Sequence, residues 1–316
     1  MRKLFWRLAL SFLCVIAALL CSRAKGAEVR NVWIDTDLSI GSPWREVDDG
    51  YALLLAFHSP EVRIVGISTT YGNAPLRATT QRTRDLINRL GLTIPINPGA
   101  ASPGDLGHST AASDALASAL RENKRLTYIA LGPLTNFASF LTLHPLEAKR
   151  FDQIIMVAGK SPGTTLGFGP REKFRIHDAN FVKDPQAVRV VLESRLPILL
   201  APIETSSRLT MDAPDLRALK ASGPPGRLLA QQSGMWLWFW THIAQAKGGP
   251  IFDALAVVAA AKPQLVTIEE RSVAIDAKSG LIVSRPSEWA GRKVLFCPSF
   301  SPDTKDFILS RLRGAM

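Results

Sequence analysis

The chain has 316 residues, 47% of them hydrophobic, and a formal net charge of +11 at pH 7. That length and apolar content are enough to bury one large core. Its Lys and Arg residues form no run and are not interleaved with aromatics, so the basic excess does not point to a nucleic-acid partner.

The first residues read as an export signal rather than as part of the fold. Met1-Arg2-Lys3 and Arg7 make a basic start, and residues 8–20 form an apolar run broken by Ser11. The run is short for a membrane span, and the small residues Ser22 and Ala24 stand where a signal peptidase reads. Residues 1–24 are expected to be removed, with Ala27 as an alternative cleavage point, leaving one domain over 25–316. The mature protein is then expected in the periplasm or outside the cell, with no stable membrane association. Cys21 is a poor lipidation site because Leu20 before it is bulky. Cleavage removes Cys14 and Cys21 and leaves Cys297, so no internal disulfide is expected.

The mature part opens on Val32-Trp33-Ile34-Asp35-Thr36-Asp37, an apolar strand that runs into aspartates. After a loop comes Val47-Asp48-Asp49-Gly50-Tyr51-Ala52-Leu53, the start of an apolar helix with Asp48 or Asp49 expected at its N-cap. A strand ending in Asp and a helix starting with Asp would aim several carboxylates into one crevice at the carboxyl end of a strand. Crowded like charges there call for a cation, and oxygen ligands suit Ca²⁺ or Mg²⁺.

Downstream, strands are expected over 62–69, 94–96, 126–131, 153–157 and 197–203, and helices over 76–90, over 114–121, after Asn136 to Leu143 and from Pro185. This alternation predicts an α/β fold, a single-domain, mainly parallel Rossmann-like sheet flanked by helices. Residues 158–176 are rich in Gly, Pro and charge, and so long a loop in a compact domain is usually functional. One helix is expected over 225–246, carrying Trp236, Trp238, Trp240 and His242. An apolar helix follows with Asp253 in its first turn; residues 271–296 read as a small β-region, and 303–312 as a closing helix. In a parallel sheet, Asp35, Asp37, Asn73, Thr135, Asn136, Asp48, Asp49, Asp178, Asn180 and Asp253 all fall on one rim.

At this point the sequence resembles the inosine-uridine-type nucleoside hydrolases. Their signature stands here as Asp35-Thr36-Asp37 and Asp48-Asp49-Gly50-Tyr51-Ala52-Leu53. Tyr71-Gly72-Asn73, Gly132-Pro133-Leu134-Thr135-Asn136, Asp178-Ala179-Asn180 and Phe252-Asp253-Ala254-Leu255 follow in the family's order. The resemblance implies a nucleoside substrate and a Ca²⁺ held by Asp37, Asp49, Asp253 and the Thr135 carbonyl. It implies Asp37 as general base for the attacking water, and Asp48, Asn73, Asp178 and Asn180 on the ribose hydroxyls. It also implies a homo-oligomer, dimer or tetramer. The chemistry is coherent, because water attacking a sugar carbon needs a base in reach, and carboxylates favour an oxocarbenium-like transition state.

The chain departs from the family pattern in places. Residues 38–47 are longer than the usual spacer, and either cover the site or form a surface insertion. Asp178 stands where the commonest form has Glu. Phe252 stands where a His is usual, the residue assigned as acid for the leaving base. Phe252 cannot donate a proton, so an acid is sought on the aromatic helix. Trp236 and Trp240 share one face by their spacing of four, as do Trp238 and His242. With the first face taken as core, Trp238 is expected to stack on the base and His242 to protonate it. Two rival readings are a metal-dependent phosphoester hydrolase and a non-catalytic nucleoside or sugar binder of the same fold.

Overall fold

A computed structural model of the chain describes residues 29–42, 44–276, 280–284 and 291–314. The expected export signal, residues 1–24 or 1–27, lies outside them. Thirteen strands occur among the described residues. They are β1 Arg30–Thr36, β2 Val62–Thr69, β3 Ile96–Pro98, β4 Leu126–Ala130, β5 Phe151–Met156, β6 Gly167–Phe168 and β7 Phe174–Arg175. Then come β8 Ile198–Leu200, β9 Thr210–Met211, β10 Gly249–Pro250, β11 Val266–Asp276, β12 Gly280–Ser284 and β13 Arg292–Phe300.

Nine strands make one sheet in the order β12-β11-β13-β8-β5-β4-β1-β2-β3. Neighbours from β13 through to β3 pair in parallel, and β11 runs against both β12 and β13. The fold is thus a single α/β domain around a mixed, mainly parallel sheet. Alternation along the strands sends side chains to two cores. Ile34, Ile129, Ile155 and Leu199 join one, with Leu53 and Val257 from the helices Asp48–Phe57 and Ala254–Ala261. Trp33, Tyr128, Ile154 and Leu200 join the other, with Phe137 from the helix Thr135–Leu143. Burial on both faces is why these strands read as apolar runs. Gly66 in β2 pairs with Trp33, and a Cβ there would lie 2.3 Å from the indole, so a residue without one lets the ring lie flat on the sheet.

The strand at 62–69 and the helix at Leu76–Arg89 form as expected. The expected β-region near the end is not a separate unit, because β13 pairs with β8 and carries β11 and β12 onto the main sheet. The expected long helix over 225–246 is broken into Pro224–Gln232, Gly234–Trp238 and one π-helical turn, Phe239–Ile243. The break falls at Ser233, a buried residue whose hydroxyl donates to the Leu229 carbonyl and meets the Tyr51 hydroxyl at 2.9 Å. Nor are residues 158–176 wholly irregular. β6 and β7 form a short antiparallel hairpin, and Phe168 and Phe174 lie edge-on to Trp240.

Candidate active site

The carboxyl end of β1 delivers Asp35, Thr36 and Asp37, all buried, and the helix Asp48–Phe57 begins beside them. Neither Asp48 nor Asp49 caps that helix. Val47 holds the N-cap position without a side-chain bond, and both aspartates lie in the first helical turn, buried. Their carboxylates are therefore free for other partners. The Thr36 hydroxyl donates to Asp49 and accepts from the Leu38 amide, tying strand end to helix start. Asp253, at the N-cap position of the helix Ala254–Ala261, makes no capping bond either. Carboxylate oxygens of Asp48, Asp49 and Asp253 lie within 4.8 Å of one another.

Asp37 stands next to this cluster. Its Oδ2 accepts the Asn73 amide at 2.6 Å, and the Asn73 side-chain nitrogen reaches both Asp37 Oδ1 and Asp49 Oδ2 at 3.4 Å. Lys183 Nζ lies 3.9 Å from Asp37 Oδ2. Gly72 is close by, where a Cβ would sit 1.8 Å from Asp37 Oδ2 and the φ of +156° is one that L residues rarely adopt. Asp35 points elsewhere. It accepts from the Ser68 hydroxyl at 2.5 Å and from Asn136 Nδ2 at 2.8 Å, so it belongs to the buried framework of the sheet.

Burial raises the pKa of every carboxyl group here. Asp35 is pushed up to about 6 by desolvation, which its hydrogen bonds from Ser68 and Asn136 only partly oppose. Asp37 is raised by desolvation and then by the Asp49 charge, with Lys183 and the Asn73 amide pulling the other way. Desolvation again comes first for Asp48, followed by the charges of Glu46, Asp49 and Asp37. Asp253 is raised by burial and then by the charges of Asp48, Asp49, Asp37 and Glu46. Asp48 Oδ1 is buried without a hydrogen-bond partner among the described residues. An orphaned carboxylate oxygen in a group of three buried acids fits a hard divalent cation, which takes oxygen ligands and removes the repulsion.

Above the acids opens a cleft of about 150 Å³. Its polar lining is Glu46, Asp48, Asn73, His177, Asn180 and Asp253, and its apolar lining includes Ile176, Ile203, Trp240 and Phe252. Asn180 donates both its amide hydrogens, to the Leu131 carbonyl at 2.8 Å and the Val157 carbonyl at 3.0 Å. Its Oδ1 remains as an acceptor. Asp178 does not line the cleft. Its two oxygens take the backbone amides of Gly159 at 2.7 Å and Phe181 at 3.2 Å, capping the helix Ala179–Lys183 and anchoring the loop before it. Thr135 is buried at the start of its helix, with its hydroxyl donating to Asp184 Oδ2 at 2.6 Å. Phe252 lines the cleft 6.3 Å from the Trp240 ring centre.

Trp238 and His242 do pair, stacked at 5.3 Å and 13°, but not in the cleft. Trp238 is 45% exposed, and His242 Nδ1 is within hydrogen-bonding distance of the Trp238 carbonyl and the Thr241 hydroxyl. The buried face of Trp236 and Trp240 is the one turned inward, and Trp240 itself lines the cleft. Spacing identified the two faces without fixing which one meets the sheet.

Four groups at the site escaped the sequence reading, His177 of the cleft lining among them. Glu46 enters the cleft from the segment after β1, in which Leu38, Ile40 and Val47 are buried and Trp44 is exposed. Lys183 reaches Asp37 from the last turn of the helix that carries Asn180, three positions earlier, a spacing that puts both on one face. Trp240 was assigned to the core and serves both core and cleft.

The sequence profile of the inosine-uridine preferring nucleoside hydrolases matches residues 32–295. The chain is 26% identical over 269 residues to the pyrimidine-specific ribonucleoside hydrolase RihA of Citrobacter koseri, covering 73% of this chain and 81% of that one. Among solved structures, a plant nucleoside hydrolase, the PpNRh1 enzyme, superposes with a TM-score of 0.76 at 23% identity, over 90% of this chain and 99% of its own. A purine-preferring ribonucleoside hydrolase from Gardnerella vaginalis gives 0.76 at 18% identity, over 90% and 98%. These two likenesses speak to the fold. The profile match runs from β1 to β13 and takes in Asp48, Asp49 and Asp253. The chain therefore belongs to the inosine-uridine preferring nucleoside hydrolase family, and it is a glycosidase that hydrolyses the N-glycosidic bond of ribonucleosides at this acidic site.

Proposed function

We propose that the chain is a Ca²⁺-dependent ribonucleoside hydrolase in which Asp37 is the general base. The observation that carries this reading is the buried cluster of Asp48, Asp49 and Asp253, with Asp48 Oδ1 unpartnered at the floor of a cleft. Asp49 and Asp253 would hold the ion together with Asp37 and the Thr135 carbonyl, the set the family resemblance implies, and Asp48 would lie against it. Bound there, Ca²⁺ would neutralise the acids and favour ionisation of water.

The chain's own residues do the rest. Asp37 accepts the proton of the attacking water. Its position is fixed by the Asn73 amide, and its proton affinity is raised by burial and by Asp49. Asn73 and Asp48 offer polar atoms to the ribose hydroxyls, and Asn180 Oδ1 offers an acceptor. Asp178 positions Asn180 by capping its helix, rather than reaching the sugar itself. Holding the ribose by its hydroxyls converts binding into orientation at the reacting carbon. The aromatic and aliphatic lining gives the base a flat apolar surface.

The test is a panel of ribonucleosides incubated with purified protein and Ca²⁺, read for free base and ribose. Equimolar base and ribose are expected. Phosphate release from a phosphoester panel would favour the phosphoesterase reading. Tight binding without product would favour a non-catalytic binder. We further propose export after removal of residues 1–24 or 1–27, to the periplasm or the medium, and assembly as a dimer or tetramer. Intact mass of protein from those fractions and the mass of the native particle check both, and a cytoplasmic protein retaining Met1 or a monomer would refute them.

A further inference from the structure

The carboxylate of Glu46 is held by its neighbours in one orientation. Its Oε2 accepts the indole N–H of Trp236 at 2.7 Å and that of Trp240 at 3.4 Å. The Ser39 hydroxyl donates to the Glu46 carbonyl at 2.7 Å and fixes the backbone beneath it. Oε1 takes no hydrogen bond from any described side chain or amide, and Glu46 lines the cleft together with Trp240 and Phe252. Glu46 and Trp240 also line an adjoining aromatic cavity of about 200 Å³, which extends the apolar part of the site. Ribose hydroxyls are matched by Asn73, Asn180 and the acid cluster, whereas Glu46 sits among rings suited to the flat faces of a base.

We infer that Glu46 Oε1 accepts an N–H of the nucleobase, so that the chain selects nucleosides whose base carries a donor at its edge. The inference rests on the proposed ribonucleoside hydrolysis and names the specificity of that same site. A polar group built to bond the substrate discriminates strongly against an analogue that lacks the partner, because the site atom is then left unpaired.

Glu46→Gln makes a directed test. The two indole N–H groups need an acceptor, so the amide oxygen takes the place of Oε2 and the NH₂ group replaces Oε1. The atom presented to the base changes from acceptor to donor at almost constant volume. Inosine offers an N–H at N1, while purine riboside offers only an acceptor there. We expect the ratio of kcat/KM for inosine to that for purine riboside to fall at least tenfold in Glu46→Gln. Differences in leaving-group chemistry cancel in this comparison. A smaller change, or equal losses on both substrates, overturns the inference and makes Glu46 a sugar or scaffold residue. The wild type gives a second arm that needs no variant. It should use 1-methylinosine, whose N1 donor is replaced by a methyl group, at least tenfold less well than inosine, and equal use overturns the inference. Nitrophenyl riboside separates this from the underlying reading, since its leaving group has no N–H. Release of nitrophenol by the wild type keeps ribosidase chemistry standing whatever Glu46 does. Failure to cleave any riboside removes that chemistry and the inference together.

Discussion

Asp37 is fixed more tightly than a ligand alone needs to be. The Asn73 amide bonds it, Lys183 faces it, and Gly72 supplies the space into which no other residue's Cβ would fit. That is how a base is kept in one position with its proton affinity set by burial and one acidic neighbour. Asp37→Asn should lower turnover by about 10²–10⁴-fold and change KM far less, since the amide keeps the shape and loses the proton acceptor. Steady-state kinetics on inosine check this, and a variant that keeps more than about a tenth of wild-type turnover would assign the base elsewhere. Asp37, Asp49 and Asp253 were legible in the sequence because Asp37 follows an apolar strand and Asp49 and Asp253 each stand ahead of an apolar helix. Lys183 was not, because its partner lies 146 positions away (183 − 37) and meets it only through the fold.

The segment from Pro224 to Ile243 shows where periodicity stops being informative. Its spacing of four paired Trp236 with Trp240 and Trp238 with His242, and both pairs form. Which pair meets the cleft depends on the helix break at Ser233 and on the hairpin β6–β7 packing against Trp240, neither of which is local to those residues. The same loss of local information hid Glu46, whose environment is made by Trp236 and Trp240, about 190 positions further on. Strands fared better, since burial on both faces writes them as apolar runs; the deviations are at the ends, as with β3 at Ile96–Pro98 where 94–96 was expected. His242 lies on the exposed face, so His242→Ala is expected to leave inosine kcat/KM within about twofold of wild type, as surface changes usually do. A tenfold loss on inosine, with nitrophenyl riboside spared, would instead return His242 to the role of acid.

At the scale of the whole molecule, the sheet gathers charge that it cannot stabilise alone. Asp35 has its pKa raised from 3.8 to about 6 in the folded chain. Between those values the native state keeps a proton that the unfolded chain has released, so stability falls as pH rises from about 4 to about 6, by about 3 kcal/mol for this group alone. Asp37, Asp48 and Asp253 are raised as well and act in the same direction. A cation at the cluster offsets their repulsion when they are ionised, so its stabilising effect should grow with pH. Thermal melting of the chelated protein should show Tm falling from pH 4 towards neutrality, with Ca²⁺ restoring more at pH 7 than at pH 4. A Tm of the chelated protein that climbs over that range would contradict this electrostatic picture.

The central claim is that the buried aspartates act through a bound divalent cation, and turnover before and after chelation tests it most directly. Protein stripped of metal by exhaustive chelation should release no free base from inosine or uridine, and stoichiometric Ca²⁺ should restore the rate. Full activity in the stripped protein, verified metal-free by elemental analysis, would contradict the account.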